Sequence, residues 1–209
     1  MQVLGWKSLL GAGSGLLGIA VLLSATAAPA KLQAAHATAQ EIVLELDPAQ
    51  SKVHFTVDTT LHAVHGTFAL KKGTVHFDPD NGEATGEISV FATSGESGNS
   101  SRDERMHKEI LETSKYPDAI FRPRQIEGKV ARTGASDVSL RGVILLHGGE
   151  HEIVALVHAE LAGDRWKGTA KFEVPYIQWG FKDPSTWLLK VKPVVNVELE
   201  MAGPAKGTS

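Results

Sequence analysis

The chain has 209 residues, 42% of them hydrophobic, with 21 Lys and Arg against 24 Asp and Glu. The formal charge of −3 and the near-neutral balance leave no basic footprint for nucleic acid. No cysteine is present, which excludes a disulfide framework, thiol catalysis and a lipidated Cys anchor.

The N-terminus reads as an export signal. Lys7 precedes an apolar, Gly-rich run over residues 9–23, followed by small residues. Ala25-Thr26-Ala27 and Ala28-Pro29-Ala30 both have the small-x-small form of a cleavage site, with Ala37-Thr38-Ala39 a later one. The expectation is a signal peptide over residues 1–30, cleaved there or as late as 39. The competing reading is a retained anchor, for which the run is short and glycine-weakened. Residues 31–41 read as a flexible N-terminal arm.

From Ile42 the hydrophobic period becomes two. Val53, Phe55 and Val57 alternate with polar residues, as a half-buried strand requires. Val64, Phe68 and Leu70 continue it, and Val75 and Phe77 share a face in a further short strand. Asn81-Gly82 supplies a turn, since both residues tolerate positive φ. Ile88 and Val90 mark the next strand. Residues 101–121 then change character. Ser101 and Glu104 have the form of a capping box, and Met106 and Ile110 fall one turn apart on one face. Pro117 ends that helical region.

After it, residues 119–124 and 126–133 read as strands, with a turn at Gly134-Ala135-Ser136. Ile144 and its neighbours alternate next. Ile153 to Leu161 and Trp166 to Val174, including Phe172, follow in the same way. Trp187, Leu189, Val191, Val195, Val197, Leu199 and Met201 share one parity and read as the last strand. Residues 202–209 read as a disordered tail. Eight or nine short strands joined by turns predict an all-β antiparallel barrel or sandwich, with one short helix inserted. Inward-parity Gly66, Gly142, Gly168, Ala155 and Ala170 either leave room for a ligand or accommodate curvature.

The ordered motifs resemble those of the YceI-like family. They run from Asp47-Pro48 and Ser51-x-Val53-x-Phe55-x-Val57 to Val64-x-Gly66-x-Phe68 and Gly73-x-Val75-x-Phe77-Asp78. Arg102-Asp103, Tyr116-Pro117 and Gly142-x-Ile144-x-Leu146-x-Gly148 follow, then Tyr176-x-x-Trp179-Gly180 and Lys190-Val191 with Val195-x-Val197. The resemblance spans about residues 45–201. It implies an exported, eight-stranded antiparallel lipocalin-like barrel over residues 42–201, with an apolar pore that holds a polyisoprenoid tail and no catalysis. Two departures stand out. Thr59 stands where relatives carry a His, with a shorter connection to Phe68, and Gly148-Gly149-Glu150 replaces a Gly-Val-Thr run.

The expected ligand is an isoprenoid lipid, a quinone or a similar amphiphile, for storage, transport or stress response, with no other cofactor. Burying one isoprene unit contributes about 3–4 kcal/mol before ordering costs, against roughly 1 kcal/mol net per head-group hydrogen bond. The tail should therefore set affinity and the head orientation. Lumen candidates are Phe55, Val57, Phe68, Phe77, Ile88 and Val90 in the first half of the chain. Met106, Ile110, Phe121, Ile144, Phe172 and Trp187 complete the set. Arg102 and Arg105, near a helix N-terminus, are candidates for an anionic head, or else a solvated face paired with Asp103, Glu104 and Glu109.

His62 and His65 form an HxxH pair, the basis of an alternative reading as a metal-dependent enzyme, although the spacing alone is a weak signal. A barrel filled by its own side chains is the third reading. Gly95-Glu96-Ser97-Gly98 lacks the final glycine of a nucleophile elbow. Transient membrane contact and pairing of two barrels are both compatible with this chemistry; a nucleic-acid partner is not.

Overall fold

The computed structural model describes residues 41–207. The expected signal segment, nearly all of the arm, and Thr208 and Ser209 lie outside the described residues.

Nine strands follow in order: β1 (Ile42–Leu46), β2 (Lys52–Thr59), β3 (Ala63–Phe77), β4 (Ala84–Glu96), β5 (Asp118–Glu127), β6 (Gly134–Leu146), β7 (Gly149–Ala162), β8 (Arg165–Val174) and β9 (Val191–Lys206). All neighbours are antiparallel, and pairing of β3 with both β2 and β4 closes the ring. β1 and β2 run alongside the same two partners, β3 and β9, at successive heights. They are two halves of one stave broken at residues 47–51, so the barrel has eight staves. Asp47 makes that break: its carboxylate accepts from the Ala49 amide at 2.9 Å, an Asx-type turn.

Alternation within each strand places apolar side chains inside and charges outside. The outer face carries ion-paired rungs such as Lys171–Glu198 at 3.1 Å and Lys167–Glu160 at 2.9 Å. A membrane-spanning barrel would instead show an apolar band there. Arg122 belongs to this outer face, between Glu87 and Glu150.

Several boundaries differ from those read in the sequence. Residues 64–77 form one long strand, because a bulge between Leu70 and Lys72 flips the parity from even to odd without ending the ladder. A second bulge, between Pro123 and Gln125, does the same in β5, where the missing amide of Pro123 cannot join the ladder. The turn expected at residues 134–136 lies earlier, since β6 already begins at Gly134. The expected tail is β-structure as far as Lys206. Ala205 is buried opposite Leu44, because β1 gives this end of β9 a partner.

The helix also differs. α1 (Ser100–Arg105) is capped by Asn99, whose side chain accepts from the Arg102 amide at 3.0 Å, and not by Ser101. Asn is as good a cap as Ser, and the positive φ of Gly98 turns the chain into it. A π-helical turn over Met106–Ile110 follows and closes with Leu111 N–H donating to Met106 O at 2.8 Å. The helical region therefore stops well before Pro117.

The lower end of the barrel is filled by side chains. Ile42 is 0% exposed and Leu161 2%, packed with Phe77 and Trp166. The Trp166 indole N–H donates to Glu45 O at 2.9 Å, so the broken stave is tied to the floor.

Candidate functional site

Above that floor lies an apolar cavity of about 440 Å³. It runs from Trp166, Leu161 and Met201 up to Thr59, His62, Pro184 and Leu189 at the opposite end. Inward side chains such as Phe68, Val90, Leu140, Val157 and Val197 pack against the core yet are only partly buried, so they form the wall of a space and not a filled centre.

The inward small residues fall into two classes. A Cβ on Gly66 would stand 2.2 Å from the Phe55 ring, and one on Gly142 2.5 Å from the Phe121 ring. The space these glycines leave is thus already occupied by aromatic rings. Gly168 lies against the backbone, where a Cβ would meet His158 O at 2.6 Å. Ala155 and Ala170, by contrast, border the cavity and widen it.

The structure brings Phe55, Val57, Phe68, Phe77, Ile88 and Val90 to the cavity wall, together with Phe121, Ile144 and Phe172. Met106 and Ile110 reach it from above. Trp187 does not: it is 89% exposed. Its parity matched the last strand, but that strand starts only at Val191, and Trp187 sits at the tip of a turn closed by Thr186 and Leu189.

The helical segment covers one end of the cavity and is tied down at several points. The Ser97 amide donates to the Asp103 carboxylate at 3.0 Å, and their side chains are hydrogen-bonded as well. Burial raises the Asp103 pKa, but these Ser97 bonds and the Arg102 charge outweigh it and hold the carboxyl below its usual range. His107 bonds Gly95 O at 2.8 Å, and Lys182 donates to Glu109 at 2.6 Å. Gly95 is needed for closure, because a Cβ there would stand 2.4 Å from Phe68 and 2.8 Å from Met106.

Arg102 and Arg105 border the mouth, with much of their donor capacity spent within the protein. Arg102 Nε and Nη2 each donate to Ser97 at 2.7 Å. Arg105 donates to Pro184 O at 3.1 Å and lies 3.6 Å from Glu109. Ser97 is thus an anchor point of the helical segment, engaged by Asp103 and Arg102. His62 and His65 do not converge. His62 borders the cavity, whereas His65, one parity off inward Val64, bonds Thr56 Oγ1 at 2.9 Å on the outer face. Among the described residues no group of three or more His, Cys, Asp or Glu is placed to hold a metal ion.

Sequence reasoning missed Leu111, Tyr176, Phe181 and Leu189, which also line the cavity. Tyr176 and Phe181 lie in a connection without a period, where two large apolar rings were the available signal; Leu111 caps the helical segment, and Leu189 shared the parity read for the last strand. Tyr176 is 5% exposed, and its hydroxyl has no hydrogen-bond partner. Burial, with the Asp183 charge adding, pushes the phenol up to about 12. Because the folded value exceeds the unfolded one, stability falls as pH rises from 10 towards 12. Tyr176→Phe is expected to abolish that alkaline loss and, by removing an unpaired buried hydroxyl, to stabilise the protein by about 1 kcal/mol at neutral pH. Urea melts of both proteins at pH 7 and 11 check this.

Residues 44–202 match the YceI-like domain. The chain belongs to the YceI-like family. No curated protein matches it. Among solved structures, this YceI-like chain is similar to Burkholderia cenocepacia BcnA, at 15% identity and a TM-score of 0.62, covering 76% of this chain and 99% of that one. A polyisoprenoid binding domain from Saccharophagus degradans, implicated in plant cell wall breakdown, shares 14% identity with a TM-score of 0.56, covering 76% and 95%. The YceI protein of Campylobacter jejuni shares 18% with a TM-score of 0.54, covering 68% and 84%. At these identities the likeness is one of fold.

Proposed function

We propose that this protein is an exported, non-catalytic carrier that holds the apolar tail of an isoprenoid-type lipid or quinone in its lumen. The observation that carries the reading is the cavity itself. An open space of about 440 Å³ walled by apolar side chains leaves that surface facing water unless something fills it, and burying an apolar chain against it is favourable in proportion to the area covered. A barrel built only for structure would collapse or fill that space, as the floor around Trp166 does. The polyisoprenoid-binding neighbour supports an isoprenoid chain as occupant, and the small-x-small sites after the N-terminal apolar run support export.

The head group on this reading is neutral. Arg102 and Arg105 are already engaged by Ser97, Pro184 and Glu109, so a pyrophosphate would have to break those contacts. Delipidated protein is titrated with a polyprenol and with the matching polyprenyl phosphate while an apolar dye is displaced. The alcohol should displace it at least as well as the phosphate. No displacement by either would sink the proposal.

The lid supplies a second check. Met106→Asp puts a carboxylate against the apolar cavity and is expected to weaken chain retention by at least about tenfold, or to open the lid. Lys108→Ala removes only a solvent-screened pair with Glu104 and should leave stability and lipid retention unchanged. Equal lipid recovery from the two variants would show that the helix is not a lid.

A further inference from the structure

Three large apolar side chains stand in water at one edge of the mouth. Leu61 is 76% exposed, Trp187 89% and Leu188 78%. They belong to two different turns that the backbone joins: Thr60 N–H donates to Lys190 O at 3.0 Å, and Lys190 N–H to Thr60 Oγ1 at 3.4 Å. Each turn is also closed internally. Thr59 Oγ1 donates to His62 O at 2.7 Å, and Thr186 N–H to Leu189 O at 2.8 Å. The tips are therefore held outward by ordered backbone. Their immediate neighbours Thr59, His62, Leu189 and Val191 line the cavity, so the exposed patch and the lumen share one rim.

We propose that this edge is a bilayer-docking surface, by which the mouth dips into a lipid membrane to exchange its occupant. The inference rests on the lipid-carrier reading above. Three features select a bilayer as the partner. An apolar chain passing between membrane and lumen needs a continuous apolar path, and these tips extend the cavity wall outward. Trp is suited to the water–lipid boundary, with an apolar body and a polar N–H. The tips offer on the order of 500 Å² of protruding surface, short of the roughly 800 Å² per partner that a stable protein interface buries.

Charge does not drive the contact. Lys192 is matched by Asp58 at 3.0 Å, and Glu109 is shared between Lys182 at 2.6 Å and Arg105 at 3.6 Å. Asp183, held below its usual range by its Ser185 hydrogen bonds and then by Lys190 and Arg105, balances Lys190. Docking is thus led by apolar insertion and persists on phosphatidylcholine and in added salt.

The test uses the full chain as purified from its host, with phosphatidylcholine vesicles that carry or lack bromine on the acyl chains. Bromolipid should quench an emission component that Trp187→Phe lacks, a difference that excludes Trp6, Trp166 and Trp179. Leu61→Glu combined with Leu188→Glu should weaken vesicle binding, read from that quenching, by at least about tenfold without changing the circular dichroism. Unquenched Trp187, quenching that survives in the double variant, or attachment abolished by salt would overturn the proposal. So would vesicle-independent dimerisation that the same variant removes, which would make the edge a protein interface. Lipid extracted from the same samples separates the two claims: an occupied lumen with no docking overturns only this inference, and an empty, non-exchanging lumen overturns the carrier reading itself.

Discussion

Trp166→Ala is expected to lower the unfolding free energy by about 3–5 kcal/mol, the usual cost of truncating a buried large aromatic. Trp166 is almost fully buried among Leu161, Ile42 and Met201, and its indole N–H satisfies Glu45 O. The substitution opens a cavity and leaves that carbonyl without its indole donor where the first stave breaks. Against a total of roughly 5–15 kcal/mol, this is a large fraction. Trp166→Phe keeps most of the packing and loses the hydrogen bond, so it should cost only about 1–2 kcal/mol. Denaturant midpoints at constant slope give both values. Equal effects from the two would mean that the floor is held by the hydrogen bond and not by packing.

Val157→Trp is expected to have the largest effect on the lumen and little on the fold. Val157 is only partly buried, borders the cavity, and pairs with Val138 and with small Ala170. An indole there grows into existing space, so stability should change by less than about 1.5 kcal/mol. Excluding even one isoprene unit removes about 3–4 kcal/mol of burial, more than a hundredfold in affinity before reordering. A loss of retention of at least about tenfold is therefore expected, read by dye displacement. Undiminished binding by a folded Val157→Trp variant would place the chain elsewhere.

Most of the barrel was legible because inward and outward residues alternate, and Val195, Val197, Leu199 and Met201 keep one parity along β9. What escaped depends on partners distant in sequence. Ala202 to Lys206 look like a tail until β1 lies beside them. The bulge beyond Leu70 reverses parity by one residue, which reads in a single sequence as the end of a strand. Trp187 shows the opposite error, where matching parity carried a strand into a turn. The small inward residues could not be sorted by composition. Only the rings of Phe55 and Phe121 over Gly66 and Gly142 show which spaces are filled.

The segment over the cavity was legible as a helix with Met106 and Ile110 on one face, but its anchoring was not. Asn99, Ser97 and Asp103 work together only after Gly98 turns the chain. That anchoring carries a pH dependence. The lowered Asp103 pKa means that its contribution is present above the unfolded value of 3.8 and is lost as pH falls below it.

Native mass spectrometry of gently purified protein tests the central claim most directly. The account predicts a bound species of lipid mass, released on collisional activation, extractable into organic solvent and much reduced in Val157→Trp. A bare protein mass in every preparation, with no uptake of added polyprenol or quinone, would contradict it.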